Sequence, residues 1–181
     1  MPFTAWIGIG SNQPFGALSS REVVEAAFGA LETVGVVAAR SRIYRTEPVG
    51  VVDQPAFLNA AAEIETLLAP EDLLEGLLRI ERRFGRDRMQ QASKGPRSLD
   101  LDLLFAQDAL GEAVVLNTDT LTLPHPEAAR RRFVLAPLAE IAPLLRHPLR
   151  DRSVGEILDS LPDEGPNAVT AVQRLEGSIL R

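Results

Sequence analysis

The chain has 181 residues and a mass of 19.7 kDa, which leaves room for one domain and not for two. It contains no cysteine, so disulfides, thiolate metal sites, iron–sulfur ligation and cysteine catalysis are excluded. With 19 basic and 25 acidic residues the net charge is −6 and the pI is near 5.0, which argues against nucleic-acid binding by bulk charge and against a membrane surface. The apolar runs fall short of the ~20 residues of a membrane span. The opening MPFTAWIGIG lacks the basic region and cleavage site of a signal peptide. A soluble, cytoplasmic protein is expected.

In chain order, Thr4 to Gly10 is a short apolar run closed by Gly10-Ser11-Asn12 and predicts a buried first strand. Ser19 and Glu22 fit a capping box, and Val23, Ala27 and Leu31 share one face of a helix over 20–34 that Gly35 ends. Val36 to Arg45 is β-rich, and Phe57 to Glu65 reads as a strand able to pair with it. Pro70 opens the clearest helix, with Leu73, Leu77, Ile80 and Phe84 as its stripe and Gly85 as its stop. Residues 86–98 are polar, have no period and predict a loop; Leu99 to Phe105 alternates as a strand. Short strands are expected at Val114–Leu116 and Leu121–Leu123, a turn at Pro124-His125-Pro126, a helix through Arg130, and a capping box at Ser153 and Glu156. The order β-α-β-β-α-β predicts an α+β, ferredoxin-like sandwich, with a mainly antiparallel sheet and helices packed on it. One domain over 1–160 is expected, with 161–181 a tail of unassigned role.

The charges are unevenly placed. Arg79, Arg82, Arg83, Arg86, Arg88, Lys94 and Arg97 face only Glu81 and Asp87 in the same window, so a stretch of +5 sits in a chain of −6. It feeds directly into Asp100 and Asp102. Along a strand these two carboxylates point the same way, opposite Leu99, Leu101 and Leu103. Two such carboxylates repel unless a cation lies between them, and hard oxygen donors without His or Cys suit Mg²⁺. Guanidinium forks bind phosphate, so cations beside a metal pair fit a polyphosphate. The bland alternative is a solvated strand face beside a charged loop. The chain has no P-loop, no G-x-G-x-x-G and no kinase catalytic loop.

Glu81, taken by itself, reads as an intrahelical partner for Arg82 or Arg83. Asn12 could cap locally or read a ligand edge. Phe57 and Asn59 share a strand face, a ring beside an amide, which suits a flat heterocycle. His125 sits between two prolines and ahead of Arg130, Arg131 and Arg132, a fixed and exposed position. Arg97, three residues before Asp100, is expected to point at phosphates, leaving residues such as Phe57 on other strands independent of it.

Five ordered blocks carry a resemblance: IGIGSN at 7–12, YRTEP at 44–48, DQPAFLNAA at 53–61, GPRSLDLDLL at 95–104, and LPHPEAARRRFVLAPLAEIAP at 123–143. Together they resemble the 6-hydroxymethyl-7,8-dihydropterin pyrophosphokinases of folate biosynthesis. The resemblance implies transfer of the β,γ-pyrophosphoryl group of ATP to the pterin hydroxymethyl oxygen, with release of AMP and with two Mg²⁺. It implies metal ligands at Asp100 and Asp102, which with Arg86 and Arg97 would be the catalytic set. Its ATP site falls on Glu81, Arg86, Arg88, Arg97, His125 and Arg131. Its pterin site falls on Asn12, Thr46, Glu47, Val49, Phe57, Asn59 and Phe133, with Thr46 and Glu47 acting through the backbone. It implies three mobile loops, 11–17, 46–56 and 86–98, and a cytoplasmic monomer without nucleic-acid or membrane partners. Lys94 stands where some members have Trp, and Pro126 where some have Tyr, which bears on affinity rather than reaction type. The rival readings are another Mg²⁺-dependent phosphotransferase or phosphohydrolase, and a non-enzymatic RNA-binding module on a ferredoxin-like sheet.

Overall fold

The computed structural model describes residues 2–46, 55–86, 95–163 and 168–171. The elements are β1 (Phe3–Ser11), α1 (Ser20–Leu31), β2 (Val36–Arg40), β3 (Tyr44–Thr46), β4 (Phe57–Thr66), α2 (Pro70–Arg83) and β5 (Asp100–Gln107). There follow β6 (Leu116–Asn117), β7 (Thr122–Leu123), a 3-10 turn (Ala128–Arg130), α3 (Arg132–Ile141), β8 (Arg146–His147), β9 (Arg152–Ser153), α4 (Val154–Asp159) and β10 (Val169–Ala171). The main sheet runs β10-β3-β4-β1-β5, with β2 also on β4, and every pairing in it is antiparallel. This is the α+β ferredoxin-like arrangement.

Alternation along β1 and β5 makes two cores. Ile7, Ile9, Leu101 and Leu103 meet Val23, Ala27 and Leu31 of α1 and Leu73, Leu77 and Ile80 of α2. On the other face Trp6, Leu104 and Phe105 pack with Leu135 and Leu138 of α3 and Val154 and Ile157 of α4. A register shift after Trp6 puts Phe105 opposite Trp6 and Leu103 opposite Ile7, so Phe105, which strict alternation would turn toward the first core, joins Leu104 in the second.

Local signals explain most helix ends. Both capping boxes form: Ser19 with Glu22, and Ser153 with Glu156. The Ser19 hydroxyl and N–H hold the Glu22 carboxyl below the usual carboxylate range. Helix α1 stops at Leu31, before the predicted 34, because a turn begins at Glu32. Gly85 follows α2 with φ +76°, and a Cβ there would come within 2.6 Å of the Phe15 ring, so the position needs glycine twice over.

Three elements depart from the sequence expectation. The β-rich stretch from Val36 is two strands, β2 and β3, pairing different parts of β4. The helix expected through Arg130 is a 3-10 turn, and α3 begins only at Arg132. The tail contributes β10, whose Val169, Thr170 and Ala171 pair Thr46, Arg45 and Tyr44 of β3.

Candidate functional site

The site lies where β4, β1 and β5 run side by side. The register places Asn59 of β4 and Asp100 of β5 on either side of Gly10 in β1. It also puts Gly8 opposite Asp102. Glycines in the middle strand leave no side chain between the amide and the carboxylates. A Cβ on Gly10 would stand 3.3 Å from Asn59 Oδ1 and 3.6 Å from Asp100 Cβ. Leu99, Leu101 and Leu103 are buried on the opposite face, as their alternation requires.

The arginines expected around Asp100 are there. Arg86 donates to one oxygen of Asp100 and Arg97 to the other, the latter at 2.5 Å. Arg86 also donates to Glu81 Oε1 at 2.9 Å and to the Leu99 carbonyl at 3.1 Å. Instead of two bare carboxylates repelling each other, Asp100 is balanced by two guanidinium groups.

Glu81 does not serve Arg82 or Arg83. It is 1% exposed, points inward from the last turn of α2, and accepts from the Leu101 N–H at 2.8 Å, between the two aspartates. One apolar stripe on α2 aims it there. Its isolated reading failed because the decisive partners, Leu101 and Arg86, belong to other segments.

Arg97 is not independent of the aromatic wall either. Its guanidinium lies 5.6 Å from the centroid of the Phe57 ring while it holds Asp100. Asn12 ties this corner together. It is buried, takes the Arg97 N–H on Oδ1 at 2.8 Å, and gives its own N–H to the Arg97 carbonyl at 3.1 Å. Its Nδ2 donates to the Pro55 carbonyl at 3.2 Å. Asn12 therefore joins the end of β1 to both neighbouring loops.

Asn59 is buried and donates to the Thr46 hydroxyl at 2.9 Å, while the Thr46 backbone lies between β4 and β10 in the sheet. In the segment that leads into α3, Arg131 lies 5.8 Å from the Phe133 ring centroid and pairs with Glu127 at 3.3 Å. His125 takes the Glu127 N–H on Nδ1 at 3.2 Å, so the neutral ring carries its proton on Nε2. Burial, reinforced by Arg131, holds this imidazole below its ordinary pKa, and the charges of Glu127 and Asp100 pull the other way. Glu47, Val49, Arg88 and Lys94 lie outside the described residues.

Asp100 and Asp102 fit a divalent metal by their chemistry: oxygen donors on one face, opposite glycines, among cations that suit an anionic co-ligand. Among the described residues no group of three or more His, Asp or Glu could hold a metal ion alone. Gly8 and Gly10 are the residues the sequence reading gave no role. The signal was present as glycine at two alternate positions near the end of a strand, where it weakens the strand and marks close approach.

Fold and site together define an α+β sandwich with a cluster of carboxylates and arginines on one end of the strands β1 and β5. Residues 6–143 match the family 7,8-dihydro-6-hydroxymethylpterin-pyrophosphokinase, HPPK. The chain is 38% identical over 175 residues to the 2-amino-4-hydroxy-6-hydroxymethyldihydropteridine pyrophosphokinase of Pseudomonas aeruginosa, covering 96% of this chain and 97% of that one. It is 41% identical over 125 residues to the folic acid synthesis protein fol1 of Schizosaccharomyces pombe, covering 69% of this chain and only 16% of that longer protein. In fold it is similar to a crystal structure of Plasmodium falciparum HPPK-DHPS, with TM-score 0.66 at 13% identity, over 88% of this chain and 45% of that one. The chain belongs to the HPPK family.

Proposed function

We propose that this protein transfers pyrophosphate from ATP to the hydroxymethyl group of 6-hydroxymethyl-7,8-dihydropterin, releasing AMP, as a step of folate biosynthesis. The observation that carries this reading is the row Asn59–Gly10–Asp100, in a chain whose family is established. It sets the Asn59 amide, two residues along β4 from Phe57, beside the carboxylate and arginine cluster, one strand apart. A heterocycle and a polyphosphate need that adjacency to react.

The pterin hydroxymethyl oxygen attacks the β-phosphorus, the bond from that phosphorus to the α,β-bridging oxygen breaks, and AMP leaves with that oxygen. The hydroxyl proton departs by way of Asp102 to solvent. Phe57 and Phe133 flank the heterocycle, and Asn59 with the Thr46 backbone reads its edge. Asn12 holds Arg97 in place. Arg86, Arg97 and Arg131 neutralise the phosphates, and His125 donates from Nε2 to a phosphate oxygen. Asp100 and Asp102 would hold Mg²⁺, two ions in this reading, which when bound supplies charge neutralisation and a more acidic hydroxyl. Glu81 acts from behind, through Leu101 and Arg86. Glu47, Val49 and Arg88 complete the pterin and ATP sets by resemblance. The enzyme works as a monomer of one domain, and no described helix is long and apolar enough to cross a membrane.

The test is product analysis. Protein, ATP, Mg²⁺ and the pterin should yield AMP one-to-one with pterin consumed. ADP or free phosphate as the main pterin-dependent product would overturn the reaction.

A further inference from the structure

The tail beyond α4 has no part in the chemistry above, yet it is tied both to the start of α3, beside Phe133, and to β3 at Thr46, residues proposed for the pterin site. Arg132, the first residue of α3, stands between Arg131 and Phe133. Its NH1 donates to the carbonyls of Leu158 and Leu161, at 3.0 and 3.1 Å. Its NH2 donates to Asp163 Oδ2 at 3.0 Å, and Nε lies 2.9 Å from Oδ1 without the alignment of a hydrogen bond. Asp163 Oδ1 in turn accepts the N–H of Val169 at 3.3 Å, where β10 begins. Val169 then pairs Thr46, and Thr46 pairs Phe57. A continuous path thus runs from the turn that presents Phe133, through Asp163 and β10, to Thr46, Asn59 and Phe57.

We propose that Arg132, Asp163 and β10 form a strap that sets the spacing between the Phe133 wall and the Thr46–Asn59–Phe57 wall, and so tunes recognition of the pterin. Arg132 and Asp163 are positioning residues, and the inference rests on the pterin reading of the site. The geometry makes the effect selective. The cluster proposed for the phosphates on the α2–β5 side is fixed separately: Arg86 by Glu81 and Asp100, and Arg97 by Asp100 and Asn12. Loosening the strap frees the Thr46–Phe57 wall, whereas Arg97, although it lies over Phe57, keeps its own ties to Asp100 and Asn12. The Asp163 side chain is 53% exposed, so its ion pair is a modest one and its loss should not unfold the protein.

The experiment uses the full chain. Asp163→Ala removes both the charge and the acceptor for Val169, whereas Asp163→Glu keeps both. Thr170→Pro attacks the strap from β10, because proline is poorly accommodated in a paired strand. Pterin Kd is read by fluorescence titration, and KM for pterin and for ATP by AMP formation. For Asp163→Ala and Thr170→Pro the pterin Kd and KM should both rise about fivefold, equivalent to ~1 kcal/mol, while KM for ATP and kcat stay within about twofold. Asp163→Glu should restore most of the loss. A pterin Kd unchanged in either disrupting variant, or KM values for pterin and ATP rising together, would overturn the strap. A parent protein that binds no pterin would overturn the site reading itself, and the strap with it.

Discussion

Asp100 and Asp102 are equivalent in the sequence pattern, but the structure makes a stability difference at Asp100 predictable. The Asp100 side chain is 19% exposed and accepts from Arg86 and Arg97, which are 11% and 21% exposed. Asp100→Asn keeps the volume and one carbonyl oxygen but removes the charge that balances both guanidinium groups. A hydrogen bond to a charged group contributes about 1.5–3 kcal/mol, and partial exposure reduces that. Arg86 retains Glu81 and the Leu99 carbonyl, which limits its loss further. The net cost of Asp100→Asn is therefore about 2 kcal/mol, or about 4–8 °C in Tm for a protein of this size. The expectation of repelling carboxylates would instead give no loss, or a slight gain, on removing one. Thermal melts without ligand decide between them. Turnover should also fall about a thousandfold in both Asp100→Asn and Asp102→Asn, equivalent to ~4 kcal/mol of transition-state stabilisation. An Asp100→Asn protein melting within about 1 °C of the parent would refute the ion-pair argument, since even ~1 kcal/mol should shift it further.

Two other outcomes follow from the same geometry. Arg97→Ala should cost about a hundredfold or more in turnover. It should also tighten pterin binding in nucleotide-free protein about threefold, because the guanidinium then no longer covers Phe57; an unchanged pterin Kd would count against that stacking. His125 and His147 are both held below their ordinary pKa, chiefly by burial. Their unfolded forms take up protons near pH 6.5, above the folded forms, so the stability they contribute is complete above about pH 6.5 and is lost as pH falls through the lowered folded values. Urea midpoints measured between about pH 7.5 and 5 should show this decline, and His147→Gln, remote from the chemistry, should flatten it; an equal slope in that variant would exclude His147 as a contributor.

Much of the fold was legible because its signals are local. Ser19 and Glu22 meet within one turn, Gly85 ends α2 through its own backbone angle, and Leu99, Leu101 and Leu103 declare a face by alternation. What was not legible depends on distant partners. The break between β2 and β3 follows from how each meets β4, and β10 has only three residues, too few for a period. The same division holds in the site. Parity put Asp100 and Asp102 on one face, and charge clustering put Arg86 and Arg97 near them. Nothing in the spacing could show that Glu81 turns inward to Leu101, that Asn12 clasps the Arg97 backbone, or that Arg97 covers Phe57.

The pairing of β1 with β5, the last strand in the sheet order, explains how such a cluster can sit in a stable fold. Aspartate and glycine are both poor strand residues, yet Asp100 faces Gly10 and Asp102 faces Gly8. On the other face of the same strands Ile7, Ile9, Leu101 and Leu103 are at most 2% exposed against α1 and α2. Period-two alternation separates the two demands: one face is buried along its length against α1 and α2, while the other is buried around Trp6 and Leu104 and bears Gly8, Gly10, Asp100 and Asp102 toward its other end. A larger residue at position 10 would add strand propensity and close the space between Asn59 and Asp100. The local weakness of the strand is therefore the condition for bringing an amide pocket and a carboxylate cluster within one strand of each other.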